Sequence, residues 1–286
     1  MMKIEENSLG GRAIRRLRSN RQAMACFAII IIYLIIAILG FCGVLPDANT
    51  PVTETRTGPS FDAFALWLGT DLNGLSITYK ILAGVRTAMV LAVTVVGIAV
   101  PVGITMGSLA GFYGGKVDDF IVWLYTVVVA VPYILMVIAI SYVLGKGMVA
   151  ICIAMGMVSW VGLCRLIRGE FIKHRDREYV LASRLLGANN RIIIFKHILP
   201  NVIHVAIISG SLMSLAAIKS EVILTFLGVG LKGDSWGTMI QGAGEELIEG
   251  VYAPLIGVVI AMFLVIYALN VVGDALRDAL DPKLLD

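Results

Sequence analysis

Few side chains in this 286-residue sequence could do chemistry, and their spacing is wrong for it. His174, His197 and His204 are too scattered to close a zinc tetrahedron, and Cys26, Cys42, Cys152 and Cys164 fall in or at the ends of apolar runs with no close pair. The paired carboxylates Asp118-Asp119 and Glu245-Glu246 are of the type that acid–base catalysis uses, but they lie in separate polar segments. Only Lys219 is followed by a hydroxyl residue, Ser220, and Ile218 stands where a phosphate-cradling loop needs glycine, so the chain cannot be its own ATPase. No catalytic constellation and no metal-ligand set is expected.

Three charged residues do stand out, because they interrupt or begin apolar runs: Arg86, Lys219 and Glu221. An ionisable group at depth in a bilayer costs about 2.5 to 3.5 kcal/mol, so such a residue faces a partner or a water-filled path, or else snorkels to the interface. Lys219 and Glu221, two positions apart, lie about 200° around a helix from one another and cannot both face one pore.

The elements that would hold these residues follow from hydropathy. Charged residues make up 15% of the chain, where a soluble protein carries about a quarter, and its mean hydropathy is +0.90. A hydrocarbon core about 30 Å thick needs roughly 20 apolar residues per helix. Runs of about that length fall at 23–44, 85–110, 120–144, 148–166, 202–227 and 254–272. The expectation is an all-α membrane protein with about six transmembrane helices occupying 23–272. A polar segment 1–22 precedes them, and an amphipathic tail 273–286 follows. The first run is expected to be a retained span, because it is long and lacks a small-residue cleavage pattern. Pro132 predicts a kink in the third span, Gly145-Lys146-Gly147 a tight turn, and 77–83 a short helix lying on the membrane surface.

Orientation follows from lysine and arginine. The segment 1–22 holds six of them and the polar loop 165–201 holds eight, from Arg165 and Arg168 to Arg191 and Lys196, whereas the alternate loops hold four. Positively charged loops stay in the cytoplasm, so both termini are expected there.

The loop near 167–201 is long beside its neighbours, and long loops tend to be functional. Residues 178–186 favour helix, Gly187-Ala188-Asn189-Asn190 stops it, and Leu199-Pro200 can open the next helix. Small Ala182, Ser183, Gly187 and Ala188 would let another protein approach the backbone, with flanking arginines such as Arg184 to hold its carboxylates. An ordinary positive-inside loop touching lipid headgroups explains the same arginines, and spacing alone leaves both readings open.

Ala182, Ser183, Gly187, Leu199 and Pro200 resemble the EAA loop of bacterial ABC importer permeases; here Leu181 stands at the motif's glutamate and His197 at its usual isoleucine. Further segments are similar to the dipeptide, oligopeptide and nickel branch, and within it to the C-type subunit with the shorter outer loop. They are Leu68-Gly69-Thr70-Asp71 with Gly74 and Gly84-Val85-Arg86, then Ala110-Gly111-Phe112-Tyr113-Gly114-Gly115 with Asp118, Lys196-His197-Ile198-Leu199-Pro200-Asn201, Phe226-Leu227-Gly228-Val229-Gly230 with Trp236-Gly237, and Leu280-Asp281-Pro282. Leu75 and Ser76 depart from the branch's Arg-Asp after Gly74, which puts a specific contact of that loop with a binding protein in question.

The resemblance implies a type I ABC importer permease fold in a bacterial inner membrane. It implies partners as well: a homologous second permease, two cytoplasmic ATPases and an extracytoplasmic substrate-binding protein, in a lipid bilayer and without nucleic acid. ATP and Mg would be used by the partners, with no cofactor on this chain. Ala182, Ser183, Arg184, Leu185, Gly187 and Ala188 become the ATPase-coupling candidates, and His197, Leu199 and Pro200 close that loop. Glu221, which fits the branch, leads Lys219 and Arg86 as a residue of the path or gate, and Asp71 and Trp236 are the outer-loop residues expected to face the binding protein. Di- or oligopeptides are the implied cargo. Nickel or another small solute is the alternative, and a secondary transporter, which would need ion-coupling groups near the midplane, is the rival outside the family.

Overall fold

The computed structural model describes residues 19–145 and 147–280. The cytoplasmic segment expected at 1–22 therefore lies outside the described residues up to 18, as do Lys146 and the last six residues of the tail. Nine helices contain most of what is described, and no strand occurs among these residues beyond two isolated bridges in the outer loop.

Helix α1 (Arg21–Phe41) starts where the Asn20 side chain accepts a hydrogen bond from the Ala23 amide, a standard N-cap. Helix α2 (Ile77–Tyr113) is capped in the same way by Ser76, whose hydroxyl accepts from Tyr79 N. The turns expected on the membrane surface at 77–83 are thus the first turns of this span. Helix α3 (Gly115–Ala130) is followed by α4 (Tyr133–Val143). The kink expected at Pro132 is a full break: Val131 is extended and the two axes differ by 93°. Proline lacks the amide that would continue α3, and it disfavours helical backbone in the residue before it.

Helix α5 (Met148–Arg175) extends nine residues past the expected end of its span, so Arg165 and Arg168 sit on helix and not in loop. A short α6 (Glu178–Leu185) leads to α7 (Asn190–Phe226). Pro200 stands in the first turn of the α-helical stretch Leu199–Phe226, as expected, while helical backbone of a different pitch already begins at Asn190. Residues Ile193–Ile198 form a π turn, and the Asn201 amide donates to the His197 carbonyl at 2.7 Å in that widened turn. Helix α8 (Trp236–Ile248) carries a Ser235/Thr238 capping box, and α9 (Ala253–Leu280) takes in residues 273–280 of the expected tail without a break.

Among the described residues five helices are long and apolar enough to cross a bilayer, or six when the bent α3–α4 pair is counted as one span. The protein is a multi-pass membrane protein with an all-helical fold. Its tightest seam joins α2 to α5, where Gly103, Gly107 and Gly111 form a stripe at four-residue spacing. A Cβ on Gly107 would stand 2.6 Å from the Cys164 carbonyl oxygen, and one on Gly111 2.6 Å from that of Arg168. Small residues at this spacing let helix backbones meet where lipid gives no hydrophobic drive to association.

Candidate functional site

At the end of the bundle that carries the arginine-rich segment, α6 projects on a narrow base. Its one fully buried side chain, Val180, enters a cluster with Phe112 of α2, Phe171 and Ile167 of α5, and Ile193, Ile194 and Ile198 of α7. A force on α6 therefore reaches three spans at once. The helix ends in a Schellman motif, with Gly187 N donating to the Arg184 carbonyl (3.0 Å), Ala188 N donating to the Ser183 carbonyl (3.0 Å), and Gly187 at φ +82°. The Asn189 side chain then caps α7 by accepting from Ile192 N at 2.9 Å.

The opposite face of α6 is bare. Leu181 is exposed, and Leu185 (90%) and Leu186 (89%) are almost wholly so. Ala182 and Gly187 are exposed beside them. Leu181 and Leu185, four apart, share one helix face. An exposed apolar ridge of this kind is a feature that contact surfaces share. Ser183 is half-buried and donates to the Tyr179 carbonyl (2.8 Å), Ala188 packs on the Val180 cluster, and the Arg184 guanidinium lies over the Phe112 ring at 5.5 Å. Of the closing residues, His197 and Leu199 are half-buried in the first turns of α7 and Pro200 is exposed.

A clasp beside α6 was not anticipated from the sequence, which offers Asp118 only as one of a carboxylate pair and as part of a segment similar to the family's. Arg168 of α5 holds Asp118 of α3 through both carboxylate oxygens, the second at 2.6 Å, and Arg175 donates to the Gly111 carbonyl at 3.3 Å. Bidentate arginine–carboxylate pairs fix direction as well as distance. This one ties the α2–α3 turn to the helix that feeds α6.

At the outer end, two assignments need correction. Asp71 and Trp236 do not face a binding protein, because each is 1% exposed. Asp71 closes its own loop by accepting from Asn73 N and Leu75 N, and it pairs with Lys80 at 2.6 Å. Trp236 fills the space left by Gly84, where a Cβ would stand 2.3 Å from its ring, and its indole donates to the Ile81 carbonyl. Nearby, Glu246 of α8 is buried with one carboxylate oxygen lacking a partner. Burial raises its pKa and Asp71 adds to that, against the lowering influence of Lys80.

The three charged path candidates separate. Glu221 is 2% exposed and accepts from the Thr225 hydroxyl at 2.9 Å, while Leu231 N donates to that same hydroxyl. In this chain Glu221 braces the loop after α7 and does not look onto an open path. Lys219, on the other side of α7, is exposed. Arg86 reaches the Gly40 carbonyl at 3.4 Å and lines an outer cavity of about 770 Å³ with Thr87 and Lys232.

Comparison with known proteins decides the family. Residues 103–286 match the family described as binding-protein-dependent transport system inner membrane component, which is the permease domain of ABC transporters. The chain belongs to this family. Residues 8–52 of the permease also match the N-terminal transmembrane domain of oligopeptide transport permease C. It is 34% identical to the dipeptide transport system permease protein DppC of Bacillus subtilis (strain 168), over 95% of this chain and 85% of the relative. It is 36% identical to that organism's oligopeptide transport system permease protein OppC, over 97% and 90%. With the glutathione transport system permease protein GsiD of Pectobacterium atrosepticum it shares 35% identity over 92% and 88%. The permease is thus similar along nearly its whole length to C-type subunits of peptide transport systems.

Proposed function

We propose that this permease is one half of the translocation path of an ATP-driven importer of short peptides in a bacterial inner membrane. It pairs with a second permease, receives cargo from an extracytoplasmic binding protein, and is driven by two separate ATPase subunits that use ATP and Mg. It performs no hydrolysis of its own.

The observation that carries this reading is the form of α6: an unpartnered leucine ridge outside, and one valine keyed into α2, α5 and α7 inside. A groove on an ATPase that closes around the ridge would move three span ends together. This is the bistable arrangement that alternating access requires. Ala182 and Gly187 leave room for the approach, and Asp118–Arg168 passes the movement to α3. Peptide cargo rests on the relatives, all three of which are named for peptides or glutathione.

The test is co-purification. Affinity capture of this chain from its native membrane in mild detergent brings down an ATPase subunit, and Leu185→Asp releases it. Capture of the chain without any ATPase, under conditions that retain the second permease, refutes the reading.

A further inference from the structure

The α3–α4 break lies beside a groove of about 500 Å³ between α3, α4, α5 and α7. Its wall carries three hydroxyls. Tyr133 OH lies 3.3 Å from Ser159 Oγ, and Ser220 lines the same groove. Irregular backbone at membrane depth is tolerated only where it is buried in protein or lines water. Val131, extended and exposed at the break, therefore faces a cavity or a partner and not lipid tails.

Arg165 stands at the cytoplasmic end of this groove, about 9 Å along α5 from Ser159 at 1.5 Å per residue. One turn further on, Arg168 is neutralised by Asp118. Arg165 has no acidic partner among the described residues, and its guanidinium is laid over the Tyr125 ring at 4.6 Å. It is exposed at the cytoplasmic edge of the expected span, one residue before the span's end at 166. An exposed guanidinium without a carboxylate partner keeps its donors for an anion that enters the groove.

We propose that this groove is a station for the peptide in transit. Arg165 pairs with its free α-carboxylate, and the hydroxyls of Tyr133, Ser159 and Ser220 bond its main-chain amides. An extended tripeptide spans about 10 Å, comparable with the rise of about 9 Å that separates Ser159 from Arg165 along α5. Hydroxyls and one cation read only what all peptides share, so the groove accepts varied side chains. The inference rests on the peptide-importer reading and adds the contacts to it.

The test uses the complete transporter, this chain with its second permease, ATPases and binding protein, reconstituted in liposomes with and without phosphatidylglycerol. The probes are tri-alanine and tri-alanine amide, each at a concentration that saturates the binding protein. Arg165→Gln lowers tri-alanine uptake about tenfold, to the level of the amide, while subunit association and the ATPase response to loaded binding protein persist. Arg165→Lys restores part of the loss, and Ser159→Ala with Ser220→Ala raises the half-saturating concentration of both peptides a few-fold. Equal loss for both peptides on Arg165→Gln, no loss, or loss of subunit association overturns the inference. So does a loss that follows phosphatidylglycerol content, which would give Arg165 to a lipid phosphate. If the unaltered transporter carries neither probe, the peptide-importer reading itself fails, and that result is read before any variant is made.

Discussion

Leu185 separates a docking ridge from a structural one. Its side chain is 90% exposed and keys into nothing in this chain, so Leu185→Ala leaves the permease's own stability within about 0.5 kcal/mol. Burying a leucine side chain completely is worth about 1.5 to 3 kcal/mol. If an ATPase groove covers most of it, the same substitution weakens ATPase association about ten- to a hundredfold. Val180→Ala should behave in the opposite way: fully buried and shared by three spans, it costs about 2 kcal/mol of stability before association is considered. The assay is titration of purified ATPase onto detergent-solubilised permease, with thermal unfolding of each variant measured in parallel. Undiminished association for Leu185→Ala, or a stability loss equal to that of Val180→Ala, would refute the docking argument.

Three more outcomes follow from the geometry. Asp118→Asn leaves Arg168 unpaired and should lower transport per ATP hydrolysed several-fold while ATPases stay bound; exchanging the two residues recovers part of it, and a loss of hydrolysis equal to the loss of transport would count against the clasp as a transmitter. Gly187→Ala puts a Cβ at φ +82° in open space, so the expected cost is about 1 to 2 kcal/mol of backbone strain without a clash, read as a lower unfolding midpoint. Glu246 has a raised pKa, so folding is penalised above that pKa, and the penalty fades as pH falls toward the ordinary carboxylate range. The outer lobe should therefore be more stable in mild acid, and Glu246→Gln should stabilise it near neutrality and flatten the pH dependence; a stability that rises with pH in both proteins would contradict this.

Hydropathy made the spans legible because it averages over some twenty residues, so errors of a few positions do not alter the count. The stop at Gly187 was legible for a local reason, since a positive φ after a helix selects glycine. Trp236 and Asp71 were misread because a polar loop sequence says nothing about which of its side chains turn inward. The signals were present in the small residues Gly84 and Gly237, which accept the indole and Thr225, and in Asn73 and Leu75, spaced for carboxylate capping. The four-residue spacing of Gly103, Gly107 and Gly111 could likewise have been read as a helix seam. The Tyr133, Ser159 and Ser220 group could not, because it joins three helices through a 93° break whose angle no local preference sets.

The central claim is that this permease moves its cargo only when a separate motor moves α6. Liposomes containing the chain and its second permease, supplied with binding protein and labelled tri-alanine inside and out of ATPase complement, measure it directly. Uptake should appear only with the ATPases and ATP together, and should vanish when Leu185→Asp blocks their docking. Uptake by the permeases without ATPase, or uptake unaffected by Leu185→Asp, would contradict it.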